Sequence, residues 1–169
     1  SPLVFLTDAN VGFFYGTDRF LARAAEVGVD GISRPDGPYE EKEEFAAPGR
    51  AHGLDFISLI APTSQHRIAA IAREAEGFLY LVSSLGVTGT RSKITTDLGS
   101  IVQAVRENTQ IPCAIGFGIS TPEQAGQMAK LADGVIVGSA MVKLLAQYGA
   151  QAPEHIGAYV KAMKEAMKE

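Results

Sequence analysis

Three short segments rich in glycine and hydroxyl residues carry the clearest chemical signal in this sequence. They occupy residues 83–90, 116–120 and 137–140, and each follows a strand-like apolar run. Glycine lets a ligand approach the backbone amides, and the free N–H groups at the start of a following helix favour an anion. One such loop alone is more often a plain turn, but three in succession predict a cup for a phosphate group.

The elements that must position these loops alternate between strand and helix. Apolar runs predict strands at residues 3–7, 31–34, 56–60, 79–83, 113–117 and 134–137. Helical periodicity predicts helices at residues 17–27, 40–52, 66–76, 96–108, 122–131 and 153–168. The alternation is typical of an α/β fold with a parallel sheet, which binds its ligands at the carboxyl ends of the strands.

Some of these helices carry signals of where they start or break. Ser120 and Thr121 precede a proline, which predicts a hydroxyl cap at the start of one helix, and Thr96-Asp97 predicts the start of another. Pro48-Gly49 opposes a helix interior, so the helix at residues 40–52 is expected to be kinked or split.

The composition narrows the class of protein. The 169 residues are 46% hydrophobic, which suits the core of one domain spanning residues 1–169. A net charge of -4 gives no electrostatic support for a nucleic-acid partner. The lone cysteine, Cys113, excludes an internal disulfide, and no apolar run is long enough for a membrane span, so we expect a cytoplasmic protein. The histidines at positions 52, 66 and 155 are scattered, and neither a metal nor a cofactor is predicted.

Five segments are specific in combination: IAPT at residues 60–63, LYLVS at 79–83, GVTG at 86–89, GFGIS at 116–120 and GVIVGSA at 134–140. Together they resemble the alpha subunit of tryptophan synthase, over essentially the whole chain. That family folds as a TIM barrel of eight βα units, cleaves indole-3-glycerol phosphate to indole and glyceraldehyde 3-phosphate, and pairs with a pyridoxal-phosphate beta subunit. The resemblance implies phosphate contacts from Gly89, Phe117, Gly118, Gly138 and Ser139, and a substrate pocket lined by Tyr80, Ile60, Thr88 and Phe117.

The resemblance also implies what this chain lacks. Family members use a glutamate and an aspartate from the second strand and the loop after it, whereas this sequence starts at what would be the third strand. We therefore expect a TIM-barrel-derived parallel sheet of six βα units, incomplete or rearranged relative to the full barrel. Catalysis should be lost or strongly reduced, because moving protons at the indole ring needs an acid and a base.

The sequence departs from the family pattern at Asp8, Ser33, Arg34 and Gly37, while Asn10, Pro35, Asp36 and Pro38 match it. One interpretation makes Asp8 a substitute general base, with Arg34 raising its charge or binding a second anion. The other assigns these polar or small residues to protecting an exposed sheet edge from aggregation. Asp36 follows a strand and could either contact ligand or cap a loop.

Two function classes follow. The chain is either a lyase of the tryptophan synthase alpha type, with phosphate or a small phosphorylated ligand bound, or a non-catalytic subdomain that serves as a folding or assembly unit. The sheet can stay open, close as a smaller barrel, or take strands from another chain. A homo-oligomer through open sheet edges and a beta subunit are the partners that these alternatives imply.

Overall fold

The computed structural model describes residues 1–36, 41–82, 91–116 and 118–168, with the backbone alone described at 91–97. Its strands are β1 (Val4–Leu6), β2 (Gly31–Ser33), β3 (Asp55–Phe56), β4 (Leu59–Ile60), β5 (Leu79–Val82), β6 (Cys113–Gly116) and β7 (Gly134–Ile136). Its helices are α1 (Ala9–Tyr15), α2 (Thr17–Glu26), α3 (Glu43–Ala51), α4 (Gln65–Arg73), α5 (Arg91–Arg106), α6 (Pro122–Ala129), α7 (Ser139–Tyr148) and α8 (Ala152–Ala166). The alternation confirms the α/β class predicted from the sequence.

All the strands pair in parallel. The described residues form two sheets, in the orders β1-β2-β3 and β4-β5-β6-β7. Because the strands run in the same direction, the loops after β6 and β7 emerge at one edge of the second sheet. This is the edge at which the sequence predicts ligand binding.

The strand predicted at residues 56–60 is divided into β3 and β4. The first part pairs with β2 and the second with β5. Between them, the Ile57 amide donates to the Ile32 carbonyl at 2.8 Å, and the Tyr80 amide donates to the Ser58 carbonyl at 3.0 Å. The segment 55–60 therefore passes from one sheet to the other and links them by hydrogen bonds.

The hydrophobic core has two parts that correspond to the two sheets. The smaller cluster contains Leu21, Ala24, Val29, Ile32, Phe45 and Leu54, from β2 and the helices beside it. The larger cluster joins β4, β5 and β6 to α4, α5, α6 and α8, with Leu79, Ile115 and Val105 fully buried. Each cluster packs strands of one sheet against the helices beside it.

Three helices differ from their predictions. Helix α1 was not predicted, because its seven residues include Gly12 and mostly exposed aromatic side chains, a pattern without helical amphipathicity. The start predicted at Thr96-Asp97 is wrong, since α5 begins at Arg91. Helix α3 continues through Pro48, so it is not split there, and the proline removes only the one hydrogen bond that its missing N–H would have donated.

The cap predicted for α6 is confirmed. Thr121 Oγ1 accepts from the Gln124 amide at 3.3 Å, and the Gln124 side chain accepts from the Thr121 amide at 3.1 Å, so the two residues form a capping box. Pro122 occupies the first turn. Among the described helices, none combines the length and apolarity needed to cross a membrane.

Candidate functional site

A cavity of about 660 Å³ opens where the loops after β6 and β7 meet. We call it the β6–β7 cavity. Its polar wall is formed by Gly118, Ser120, Gly138, Ser139 and Lys143, and Tyr80 lies on its apolar side. The structure thus brings together three of the residues that the sequence predicts for phosphate binding and one that it predicts for the substrate pocket.

The loop after β6 is held by side chains of α6 and α8. Gln124 Oε1 accepts from the Ser120 amide at 2.8 Å, the Thr121 amide at 3.1 Å and the Ser120 hydroxyl at 3.3 Å. Tyr159 of α8 donates its hydroxyl to the Ser120 carbonyl at 2.7 Å. Gly118 has φ of 77°, a left-handed conformation that glycine adopts without strain.

The loop after β7 leads directly into α7. Gly138 precedes the helix and Ser139 is its first residue, so the unpaired N–H groups of the first turn lie at the cavity. An added Cβ at Gly138 would meet no atom within 4 Å, so there is open space beside this residue. Lys143 lies one turn after Ser139 and adds a cation to the same wall.

The electrostatics of this wall favour an anion. The positive end of α7 and the Lys143 ammonium both face the cavity, and no carboxylate is among the described residues that line it. Lys143 was missed in the sequence analysis. The signal that could have found it is its spacing of four residues from Ser139, which places both on one face of a helix.

Tyr80 is positioned by a glycine on the neighbouring strand. A Cβ added at Gly116 would lie 2.7 Å from carbon atoms of the Tyr80 ring, so only glycine leaves room for the ring over β6. A tyrosine phenol is neutral at physiological pH, and burial raises the pKa of the Tyr80 phenol further. Tyr80 can offer a ligand an aromatic surface and a hydroxyl donor, but not a negative charge.

A second cavity of about 620 Å³ adjoins the first. We call it the Arg34 cavity. Leu6, Ile57 and Tyr80 line both cavities, whereas Arg34 and Lys42 line only the second. The two cavities are therefore neighbouring parts of one interior region between the two sheets.

Two predicted site residues do not reach either cavity. Ile60 is 1% exposed and packs in the larger cluster, while the adjacent Leu59 lines the Arg34 cavity. Neighbouring residues of a strand point to opposite faces, and this alternation places Leu59 rather than Ile60 at the cavity. Asp8 is exposed at the start of α1 and lines neither cavity, so the structure does not place it as a base beside a ligand.

Ser33 and Asp36 have structural partners. The Ser33 hydroxyl donates to the Ile57 carbonyl at 2.9 Å, beside the junction of β3 and β4. The Asp36 carboxylate accepts from the Ala9 amide through both oxygens, at 3.1 and 3.0 Å, and so caps the start of α1. Of the two roles expected for Asp36, the structure shows the capping role.

Some predicted residues lie outside the described part of the chain. They are Gly37, Thr88, Gly89 and Phe117. Within the described ranges, no three His, Cys, Asp or Glu side chains are grouped as metal ligands.

The sequence matches the family model of the tryptophan synthase alpha chain over residues 1–169. It is 48% identical to the tryptophan synthase alpha chain of Lacticaseibacillus casei over 166 residues, which cover 98% of this chain and 62% of that protein. It is 52% identical to the tryptophan synthase alpha chain of Lactiplantibacillus plantarum over 148 residues, which cover 87% of this chain and 56% of that protein. The chain thus spans less than two thirds of the length of these relatives.

Solved structures give the same result. The tryptophan synthase subunit alpha of Campylobacter jejuni superposes with a TM-score of 0.85 at 30% identity, covering 99% of this chain and 64% of that one. The alpha chain of Legionella pneumophila superposes with a TM-score of 0.83 at 34% identity, covering 99% and 63%. The fold described above is accordingly part of a TIM barrel.

Proposed function

Since this chain belongs to the tryptophan synthase alpha chain family, we propose that it binds a small phosphorylated ligand, or free phosphate, in the β6–β7 cavity. The observation that carries the proposal is the meeting of Gly118, Gly138 and Ser139 at the first turn of α7, with Lys143 beside them. These groups offer backbone donors and a positive charge to an anion. Indole-3-glycerol phosphate is the ligand that the family implies.

The remaining contacts of the ligand follow from the same placement. Tyr80, with Leu6 and Ile57 nearby, supplies an aromatic and aliphatic surface on which an indole ring can pack. Gly89, Phe117 and Thr88 complete the proposal by family resemblance alone, since they lie outside the described residues. We keep residues 1–169 as one domain in this proposal.

Catalysis by these residues alone is expected to be lost or strongly reduced. The described residues lining the two cavities include no aspartate or glutamate, and burial raises the pKa of the Tyr80 phenol further above its usual alkaline range. Cleavage of indole-3-glycerol phosphate requires proton transfer, which binding contacts do not replace. An assay of indole release tests this: substantial turnover that Asp8→Ala abolishes would contradict the proposal.

Phosphate binding is tested by titrating glycerol 3-phosphate and inorganic phosphate with calorimetric detection. We expect Gly138→Asp to weaken binding at least about tenfold, because its carboxylate repels the anion. The added side chain meets open space, so the variant should fold normally. Gly157→Asp is the matched control, since Gly157 on α8 also faces open space. Equal affinities of wild type and Gly138→Asp, or no binding at all, would contradict the site.

A role as an assembly unit is the second function that the structure favours. Phe13 and Phe14 of α1 are 76% and 86% exposed, and Leu6 of β1 is 60% exposed. Within the described chain, β1 pairs only with β2 and leaves one edge open. Exposed apolar groups beside an open edge suit contact with another chain, either a second copy or a beta subunit.

A further inference from the structure

Arg34 is a buried cation with an unsatisfied donor. Its side chain is 9% exposed, and its Nε has no hydrogen-bond partner among the described residues. The closest acid, Asp36, has Oδ1 4.0 Å from this Nε, which is longer than a hydrogen bond. Both oxygens of Asp36 accept from the Ala9 amide instead. Burial of a guanidinium N–H without a hydrogen bond is costly, and the described residues supply no acceptor for this one.

The guanidinium is held in place without such an acceptor. Arg34 directly follows β2, and its guanidinium carbon lies 5.9 Å from the centre of the Phe45 ring of α3. The cation–π contact and the close packing keep the side chain from turning into water. The Arg34 side chain is therefore held in one place at the wall of the cavity.

The cavity beside Arg34 combines positive charge with apolar walls. Arg34, Lys42 and Arg67 line it, and none of its described lining residues is an aspartate or glutamate. Lys42 already pairs with Glu74 at 2.5 Å. Phe56, Leu59 and Ile71 form apolar parts of the wall.

We propose that the Arg34 cavity binds a small organic carboxylate with an aromatic or aliphatic body. The planar guanidinium carries pairs of parallel N–H groups that match the two oxygens of a carboxylate. The apolar body would pack on Phe56 and Leu59. A carboxylate suits this site better than a phosphate dianion, because the apolar walls penalise a second negative charge. The proposal does not require phosphate binding in the β6–β7 cavity, but the two cavities share Leu6, Ile57 and Tyr80, so the test must separate the two sites.

The test uses phenylacetate as the probe and phenylacetamide as its neutral counterpart, titrated calorimetrically into the whole chain. We expect saturable binding of phenylacetate, with phenylacetamide at least about tenfold weaker. Arg34→Gln should weaken phenylacetate at least about tenfold and remove the preference for the anion. The phenylacetate affinity of Arg34→Lys should lie between those of wild type and Arg34→Gln, since lysine keeps the charge but loses the planar pair of donors. Arg23→Gln, which changes an exposed arginine paired with Glu26 on α2, is the control and should bind like wild type.

A second measurement, by NMR, uses the wild-type chain and so does not require that the Arg34 variants fold. The Nε–H resonance of Arg34 should shift on addition of phenylacetate to the wild-type chain and stay in place on addition of phenylacetamide. An unmoved resonance, equal affinity in Arg34→Gln, or displacement of phenylacetate by inorganic phosphate would overturn the proposal. Gly138→Asp separates the two sites: phenylacetate binding that survives in this variant supports the Arg34 cavity, and loss of both ligands contradicts a separate carboxylate site.

Discussion

At the end of β6, Gly116 leaves the space that the Tyr80 ring occupies. The ring is therefore fixed between two strands, with its surface toward the two cavities. The binding surface depends here on a residue that contributes no side chain of its own. Any larger residue at position 116 would move the ring from the place where we propose that an indole packs.

Cys113, three residues before Gly116, gives a prediction on pH. Burial first, and then the nearby Asp133 carboxylate, raise the pKa of the thiol from 9.0 to about 11. Below pH 9 both folded and unfolded chains keep the proton. Between pH 9 and about 11 only the unfolded chain ionises, so the free energy of unfolding falls, by about 3 kcal/mol over two pH units.

Urea unfolding from pH 8 to 11 measures this effect. Cys113→Ala is expected to be less stable at pH 8, because it leaves a small cavity in the core, but its stability should decline less steeply above pH 9. Other groups titrate equally in both proteins, so the difference between the two curves isolates the thiol. Parallel curves would contradict the prediction.

Among the elements, α8 holds the loop of the proposed phosphate site through one hydrogen bond. The Tyr159 hydroxyl donates to the Ser120 carbonyl at 2.7 Å, and burial raises the pKa of this phenol, so it remains a donor at neutral pH. Tyr159→Phe is expected to lower the free energy of unfolding by about 1 kcal/mol. It should also weaken glycerol 3-phosphate binding severalfold, because the loop loses one of its supports.

Chemical denaturation and calorimetry check the two effects. Tyr148→Phe is the matched control, since Tyr148 stacks on His155 at the far end of α7 from the cavity. A Tyr159→Phe protein that is destabilised but binds with unchanged affinity would show that α8 supports the fold and not the site.

The elements also show what could be predicted from sequence. The apolar runs at β5, β6 and β7 are bounded by loop glycines, and the Thr121–Gln124 capping box is local, so both could be predicted. The division of residues 55–60 could not, because it depends on which strands lie on either side. Helix α1 could not be predicted either, because the residue that caps its first amide, Asp36, lies 27 positions away in the chain. The sequence could not show that Leu59, and not Ile60, lines the cavity. Both residues are hydrophobic, and the sheet decides which of the two side chains points toward the cavity.

For the whole molecule, the exposed aromatic residues of α1 predict self-association. Phe13 and Phe14 pack edge to face with their ring centres 6.1 Å apart and present a joint apolar surface. We expect sedimentation equilibrium to show a mass that rises with concentration. Phe14→Glu should shift the chain toward monomer, because association would then bury a charge.

Val27→Glu serves as the control for this change. Val27 is 54% exposed at the end of α2 and receives the same added charge. If both variants reduce association equally, net charge and not the aromatic surface is responsible. A wild-type chain that remains monomeric at every concentration would contradict the assembly role.

The junction at residues 55–60 has a consequence for folding cooperativity. The smaller and larger clusters belong to different sheets, yet Leu6 of β1 and Tyr80 of β5 line the same two cavities. A ligand that contacts both residues binds only when both sheets are folded. Unfolding of either sheet then also loses the free energy of ligand binding. Occupancy of the interior would therefore make two separately packed clusters unfold as one unit.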